Sequence, residues 1–262
     1  VKPGGRQNPF DLPSLPYQIL KVRCVVAERP MLSAAIITYN EAENIGHCLG
    51  SVTDFVDEIV VLDSFSTDAT ESICRRNPKV RFHQHPFDGH IQQKNRAIEL
   101  CSSEWILSLD ADERVSPALR RSILDFLARD PEVAGAKFPR LTVHMRRDIR
   151  HGGWYPNARY RLFRKGRAYW GGQNPHDKLI LEGKGVSLEG DLIHHSARDL
   201  ADQVKTINSF SSIVAFERYR QGRQFSIFRM LFKPLSKFFE VYVLKLGVMD
   251  GMQGFVIASS SA

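Results

Sequence analysis

Three apolar runs that each end on a polar or acidic residue govern what this chain can fold into. MLSAAIIT ends at Thr38, EIVVLD at Asp63 and EWILSLD at Asp110, with amphipathic stretches between them. In NEAENIGHCLGSV, Ile45, Cys48, Leu49 and Val52 take the i, i+3, i+4, i+7 spacing of a helix, and Asn40 followed by Glu43 predicts a capping-box start. SFSTDATESICRR reads as a loop and helix opened by Ser66, Thr67 and Asp68, VRF as a short strand and HIQQKNRAIELC as a helix. Strand and helix alternating at this spacing predict βαβ units, hence an α/β fold with a parallel sheet covered by helices on both faces. Ligands of such sheets sit outside the carboxyl ends of the strands. Tyr39–Asn40, Asp63–Ser64 and Asp110-Ala111-Asp112 all fall there, so one crevice can collect all three.

Asp110 and Asp112 are like charges one residue apart, where a buried strand stops. A hard divalent cation between them and a diphosphate would relieve their repulsion, because it takes oxygen ligands and keeps positions open for phosphate. The alternative is a solvated loop; placement after an apolar run favours metal.

With 262 residues, 43% of them hydrophobic, the chain can bury one substantial core. Thirty-six Lys and Arg against 29 Asp and Glu give +7 and a pI near 9.3, which favours an anionic partner: a phosphorylated substrate, an acidic membrane surface or nucleic acid. A basic nucleic-acid-binding protein has that charge as its one support, since no RNA or DNA motif accompanies it, and no nucleic acid is expected. Cys24, Cys48, Cys74 and Cys101 lack metal or redox spacing and read as small buried hydrophobes in a reducing compartment. No apolar stretch approaches the roughly 20 residues that span a bilayer, and no signal-peptide core opens the chain, which predicts a cytoplasmic protein.

Residues 1–30, with Pro3, Gly4, Gly5, Pro9, Pro13, Pro16 and Pro30, read as a tail or linker, and 31–198 as the main domain. Shorter strands with Gly and aromatic residues over roughly Ala134 to Leu188 suggest an acceptor-side half. Residues 199–262 are expected to be two helices. The first starts near Asp199 with Ser196 as N-cap and Leu200, Val204, Ile207, Ser211 and Val214 on one face. The second starts at Phe225 and sets Phe228, Phe232, Leu235, Phe239, Tyr242 and Leu246 among Arg229, Lys233, Lys237 and Lys245, with a kink or restart at Pro234. It is either an interfacial anchor on anionic lipid or a helix packed on the core.

Taken together, AAIITYNEAENI, VVLDSFSTDAT, QKNRAIELCSSEWILSLDADE, GGWYPNARYRLFRKG, PHDKLILEG and GDLIHHS resemble a family 2 glycosyltransferase of the GT-A fold, most of all the bacterial lipopolysaccharide core glucosyltransferases. The resemblance runs from Met31 to the C-terminus. It implies a nucleotide-sugar-binding sheet in which Thr38, Tyr39 and Asn40 hold the base and Asp63 and Ser64 lie near base or ribose. Many members carry two acidic residues and then Gly there, whereas this chain has Asp63, Ser64 and Phe65. Lys94 and Asn95 reach the nucleotide or form a solvated helix face. Asp110 faces ribose or metal, Asp112 is the direct ligand of Mn²⁺ or Mg²⁺, and His194 is the further ligand with His195 in reserve. Asp177 takes the place of the catalytic carboxylate, usually Glu, unless it merely pairs with Lys178. Trp154 and Arg164 join the substrate-binding set, and Arg159 and Arg161 share a strand face from which guanidinium forks grip phosphate on either substrate.

The implied activity is metal-dependent inverting transfer of a hexose, glucose first, from a UDP-sugar to a lipopolysaccharide inner-core or related glycolipid acceptor. The enzyme would sit peripherally on the cytoplasmic face of the inner membrane. Transfer to polyprenyl phosphate or another glycan, and a nucleotide-sugar-binding protein without catalysis, remain open alternatives.

Overall fold

The computed structural model describes residues 1, 29, 31–129, 132–173, 176–222, 224 and 226–262. The first half alternates as expected: β1 (Leu32–Thr38), α1 (Ile45–Val52), β2 (Glu58–Asp63), α2 (Thr70–Arg75), β3 (Val80–Gln84), α3 (His90–Leu100) and β4 (Trp105–Asp110). β2 is buried along its whole length, and β1 and β4 at all but one residue each, so all three read as near-continuous apolar runs. The chain continues through β5 (Glu113–Val115), α4 (Pro117–Ala128), β6 (Gly135–Phe138), β7 (Arg140–His144), β8 (Arg147–Ile149), β9 (Arg159–Arg164), β10 (Ala168–Gln173), β11 (His176–Leu181), β12 (Gly185–Ser187) and β13 (Leu192–His195).

A seven-stranded sheet has the order β12-β6-β9-β4-β1-β2-β3. Its β1–β4 part is parallel, while β9 runs antiparallel to both β4 and β6. One face packs on α1, α2 and α4 around Ile36, Val61, Trp105 and Leu107; the other packs on α3 and β10 around Val60, Ile106 and Phe163. The connection after β1 leaves to one side and β4 returns on the other, which opens a crevice between their carboxyl ends. A β10–β11 hairpin and a four-stranded sheet ordered β5-β13-β7-β8 flank that edge.

The helix starts differ from the expected ones. Asn40 does not cap α1; it takes a left-handed φ of 54°, and the Glu41 carbonyl accepts from the backbone N–H groups of Asn44 and Ile45 instead. Asp199, not Ser196, caps α5 (Leu200–Arg220): Asp199 Oδ1 accepts from Asp202 N at 2.9 Å, while Ser196 Oγ is spent on His144 Nδ1 at 3.0 Å and Ala197 N. On the expected face of α5, Leu200, Val204 and Ser211 stay exposed while Ile207 and Val214 are half-buried, and Ile213 and Phe216 are exposed as well.

α6 (Ile227–Phe239) runs unbroken through Pro234 and ends in a π-helical turn, Glu240–Leu244. The expected helix residue Phe225 lies outside the described residues. A third helix absent from the expectation, α7 (Gly251–Ser261), folds back so that Ile257 and Ala258 pack on Ile149 and Val241. That return needs Gly254, where a Cβ would collide with the Gly247 carbonyl oxygen. Among the described residues no single helix is long and apolar enough to cross a membrane; Met230–Leu244 and Gly247–Ser261, bent by 73°, meet that length and composition only together.

Of residues 1–30, Arg29 is tied to the domain by bonds to both Asp57 oxygens (2.8 and 3.1 Å), and most of the expected tail lies outside the described residues. Cys48, Cys74 and Cys101 are free and buried, and burial pushes the Cys74 and Cys101 thiols up to about 12.

Candidate active site

Register sets the site. Thr38 pairs with Asp63 and Ile37 with Asp110, so the ends of β1, β2 and β4 lie in line. Above them opens a crevice of 440 Å³ whose walls include Thr38, Tyr39, Ser64, Asp110, Asp112, Asp177 and His194. The Tyr39 ring is exposed, and Thr38 Oγ1 is buried without a partner.

Asn40 and Asp63 do other work than expected. Asn40 Oδ1 accepts from Thr67 N at 2.8 Å, tying the β1 loop to the β2 loop. Asp63 is fully buried and accepts from Ser66 N (2.8 Å), Ser66 Oγ and Gln84 Nε2 (3.1 Å), so it shapes the loop and offers no free oxygen to a base. Ser64 does line the crevice, held by Gln93 Nε2 at 2.9 Å. Phe65 has φ 61°, the left-handed region that glycine prefers, at the position where the resemblance expects Gly. Glu41, Phe87 and His90 also line the crevice and carried no signal in the sequence.

A buried charge network forms the inner wall. Lys94, on α3, is buried and paired, not on a solvated helix face, and it lines the crevice. Its Nζ lies 2.9 Å from Asp110 Oδ1, 2.8 Å from Asp177 Oδ2 and 4.2 Å from the centre of the Trp170 ring. Asp177 therefore pairs with Lys94, not Lys178. Arg161 NH2 bonds Asp110 Oδ2 and Glu113 Oε1, both at 2.7 Å, so this part of the fork grips carboxylates where phosphate was expected. Glu113, wholly buried, also accepts from Asp110 N at 3.0 Å and lies 3.5 Å from Arg140. Burial works to raise the Asp110 carboxyl, but Lys94 and Arg161 outweigh it and hold it far below the usual carboxylate range. Glu113 was the missed member; its place in DADE, one residue past Asp112, was its one signal.

Asn95 is a brace: it donates to the Trp170 carbonyl at 2.9 Å and accepts from Trp170 N at 2.8 Å, locking the hairpin to α3. Arg164 pairs with Glu104 and stacks on Trp105 at the opposite end of β4 from Asp110, away from the crevice. Trp154 packs edge-on to His144 and against the cluster of Ile149 and Val241, and does not line the crevice.

Asp112 and His194 do come together. β13 pairs His194 with Glu113, and its Nε2 lies 3.3 Å from Asp112 Oδ2. His195 turns to the other face, as strand alternation requires; burial and then Arg114 lower its pKa. Asp112 Oδ1 and His194 Nδ1 are buried without partners, and the described residues hold no group of three or more metal-ligating side chains. Such a pair suits Mg²⁺ or Mn²⁺, which takes one or two protein ligands and fills its shell from water and phosphate. Its separation also fits adjacent ligands of one such ion, which stand about 3 Å apart.

Lys94, Asp110 and Asp177 also wall a second cavity, of 460 Å³, on the side of Arg140, Arg159, Tyr160, Lys178 and Trp170. The strand-end crevice and the second cavity thus share one wall, made of Lys94, Asp110 and Asp177.

Comparison with known proteins gives the family. The glycosyl transferase family 2 model matches residues 33–179, more than half of the chain. The lipopolysaccharide core biosynthesis glycosyltransferase LpsC of Rhizobium meliloti is 30% identical over 88% of this chain and 87% of its own. An uncharacterized glycosyltransferase of Rickettsia felis is 32% identical over 86% of this chain and 83% of its own. Among solved structures, the mannosyltransferase PcManGT of Pyrobaculum calidifontis, in complex with GDP-Man and Mn²⁺, superposes with a TM-score of 0.52 over 89% of this chain and 87% of that one, at 14% identity, and shares the GT-A fold. The chain belongs to glycosyltransferase family 2 and is a glycosyltransferase.

Proposed function

We propose that this enzyme moves a hexose from a nucleotide sugar, UDP-glucose or a related UDP-hexose, to a lipopolysaccharide inner-core or related glycolipid acceptor, with inversion. The observation that carries this reading is the position of Asp177 in the wall between the two cavities. A sugar donor in the β1–β4 crevice and an acceptor in the second cavity would meet at its carboxylate. The acceptor hydroxyl oxygen attacks the anomeric carbon, the bond to the diphosphate breaks, and Asp177 takes the hydroxyl proton. Lys94 holds Asp177 Oδ2, leaving Oδ1 without a described partner and open to that proton. Asp112 and His194 would hold Mn²⁺ or Mg²⁺, which neutralises charge on the departing diphosphate. The name of LpsC supports a lipopolysaccharide-type acceptor; UDP as the nucleotide rests on the sequence resemblance.

A peripheral site on the cytoplasmic face of the membrane goes with a glycolipid acceptor, and exposed Phe228, Phe232 and Phe239 on α6 support it. Incubation with Mn²⁺ and a panel of UDP-, GDP- and dTDP-sugars, scored for nucleotide release, tests the reading. Release from one UDP-hexose that stops with chelator is expected. Release indifferent to metal removes the role of Asp112 and His194, and release from a GDP-sugar alone removes UDP.

A further inference from the structure

The second cavity is basic beyond what its own carboxylates answer. Its walls bring together Lys94, Arg140, Arg159, Arg161 and Lys178. Asp110 and Asp177 face them, with Glu113 behind. Lys94 is balanced by Asp110 and Asp177, and Arg161 by Asp110 and Glu113. Arg159 and Lys178 are exposed, and neither side chain has a hydrogen bond or ion pair among the described residues. Arg161 is 4% exposed, yet its Nε and NH1 are buried and unpartnered, as are Arg140 Nε and Trp170 Nε1. All four are N–H donors closed off from solvent, and the Arg161 guanidinium lies 5.0 Å over the Trp170 ring, so the cations open to a ligand are Arg159 and Lys178. Burial, then Arg140 and Arg161, lower the pKa of Arg159 against a smaller opposing pull from Asp177 and Glu113. The sugar-donor crevice is different: apart from histidines, Lys94 is its one cation among the described residues, beside Glu41 and Asp112.

We propose that the second cavity binds an acceptor sugar bearing a negative charge, a carboxylate or a phosphate, gripped by Arg159 and Lys178 over the buried Arg161. This rests on the reading of the Asp177 wall as the meeting place of sugar donor and acceptor. A neutral sugar would bring no counter-charge to Arg159 and Lys178, which line the same cavity of 460 Å³.

The test is calorimetric titration of the full chain with glucuronate, glucose 6-phosphate and glucose, and separately with UDP plus Mn²⁺. Wild type and the double variant Arg159→Gln/Lys178→Gln are compared. At least one anionic sugar should bind about tenfold tighter than glucose, and the advantage should shrink between about 50 and 300 mM salt. The arm that wins, carboxylate or phosphate, names the group. The double variant should lose that preference while keeping its melting temperature and its affinity for UDP with Mn²⁺. Glucose binding as tightly as both anionic sugars overturns the proposal, as does a double variant that keeps the preference. A double variant that loses UDP affinity instead assigns these cations to the nucleotide and overturns it too. Anionic preference in a protein that does not bind UDP and Mn²⁺ would sink the nucleotide-sugar reading and leave the anion site standing.

Discussion

Asp110 answers two cations at once, and its acidity records it. Because its folded pKa lies below the unfolded value near 3.9, its stabilisation is complete above that pH and fades as pH falls toward the folded value. Asp110→Asn leaves Lys94 and Arg161 short of charge, so it should cost about 3 kcal/mol at pH 7. The gap from wild type should stay flat down to about pH 4 and narrow below it. Urea unfolding between pH 3 and 7 reads both; a gap that widens on acidification would contradict the pairing. The sequence showed where the two carboxylates fall, because a strand end is a local pattern. It did not show their partners, since Lys94 meets Asp177 across 83 residues and Arg161 meets Asp110 across 51. Nothing in the spacing of Lys94 or Asn95 separates a buried bridge from a brace or from a solvated face. The same blindness misplaced Arg164, whose strand was legible but whose antiparallel register against β4 was not.

At the scale of elements, the βαβ half was legible because both-face burial and helical periodicity leave a period in the residues. The antiparallel placement of β9, the pairing of β10 with β11 and the helix α7 were not, since strand partners and a glycine-dependent return are decided by long-range packing. The hairpin carries Asp177 and is held to α3 by the two Asn95 bonds to Trp170. Asn95→Ala would strand the Trp170 N–H and carbonyl, costing about 1–3 kcal/mol in urea unfolding. Transfer should fall more than affinity for the sugar donor, because the hairpin sets the reach of Asp177. Unchanged transfer in a destabilised variant would show that the brace serves stability alone.

On the whole molecule, polarity is divided. The sheet gathers the Asp112–His194 pair and a basic cavity at one edge, while α6 presents Phe228, Phe232 and Phe239 at 73%, 63% and 53% exposure. The aromatic packing inside the C-terminal unit is done instead by Phe238, Tyr242 and Phe255. Replacing the three exposed rings with Ser should release the protein from anionic vesicles, since each ring contributes about 1.5–3 kcal/mol on burial against about 1 for each nearby Lys. Nucleotide release in solution should survive. Unfolding of the triple variant would place those rings in a core, and continued vesicle binding would move the anchor elsewhere. The fold's central product is the wall that both cavities share, and steady-state kinetics of Asp177→Asn on the sugar donor test it most directly. The account predicts a kcat lower by about a hundredfold or more, with KM for the nucleotide sugar little changed. An unchanged kcat with KM raised by the same order would contradict it, making Asp177 a binding residue for the nucleotide sugar and not the group that takes the acceptor's proton.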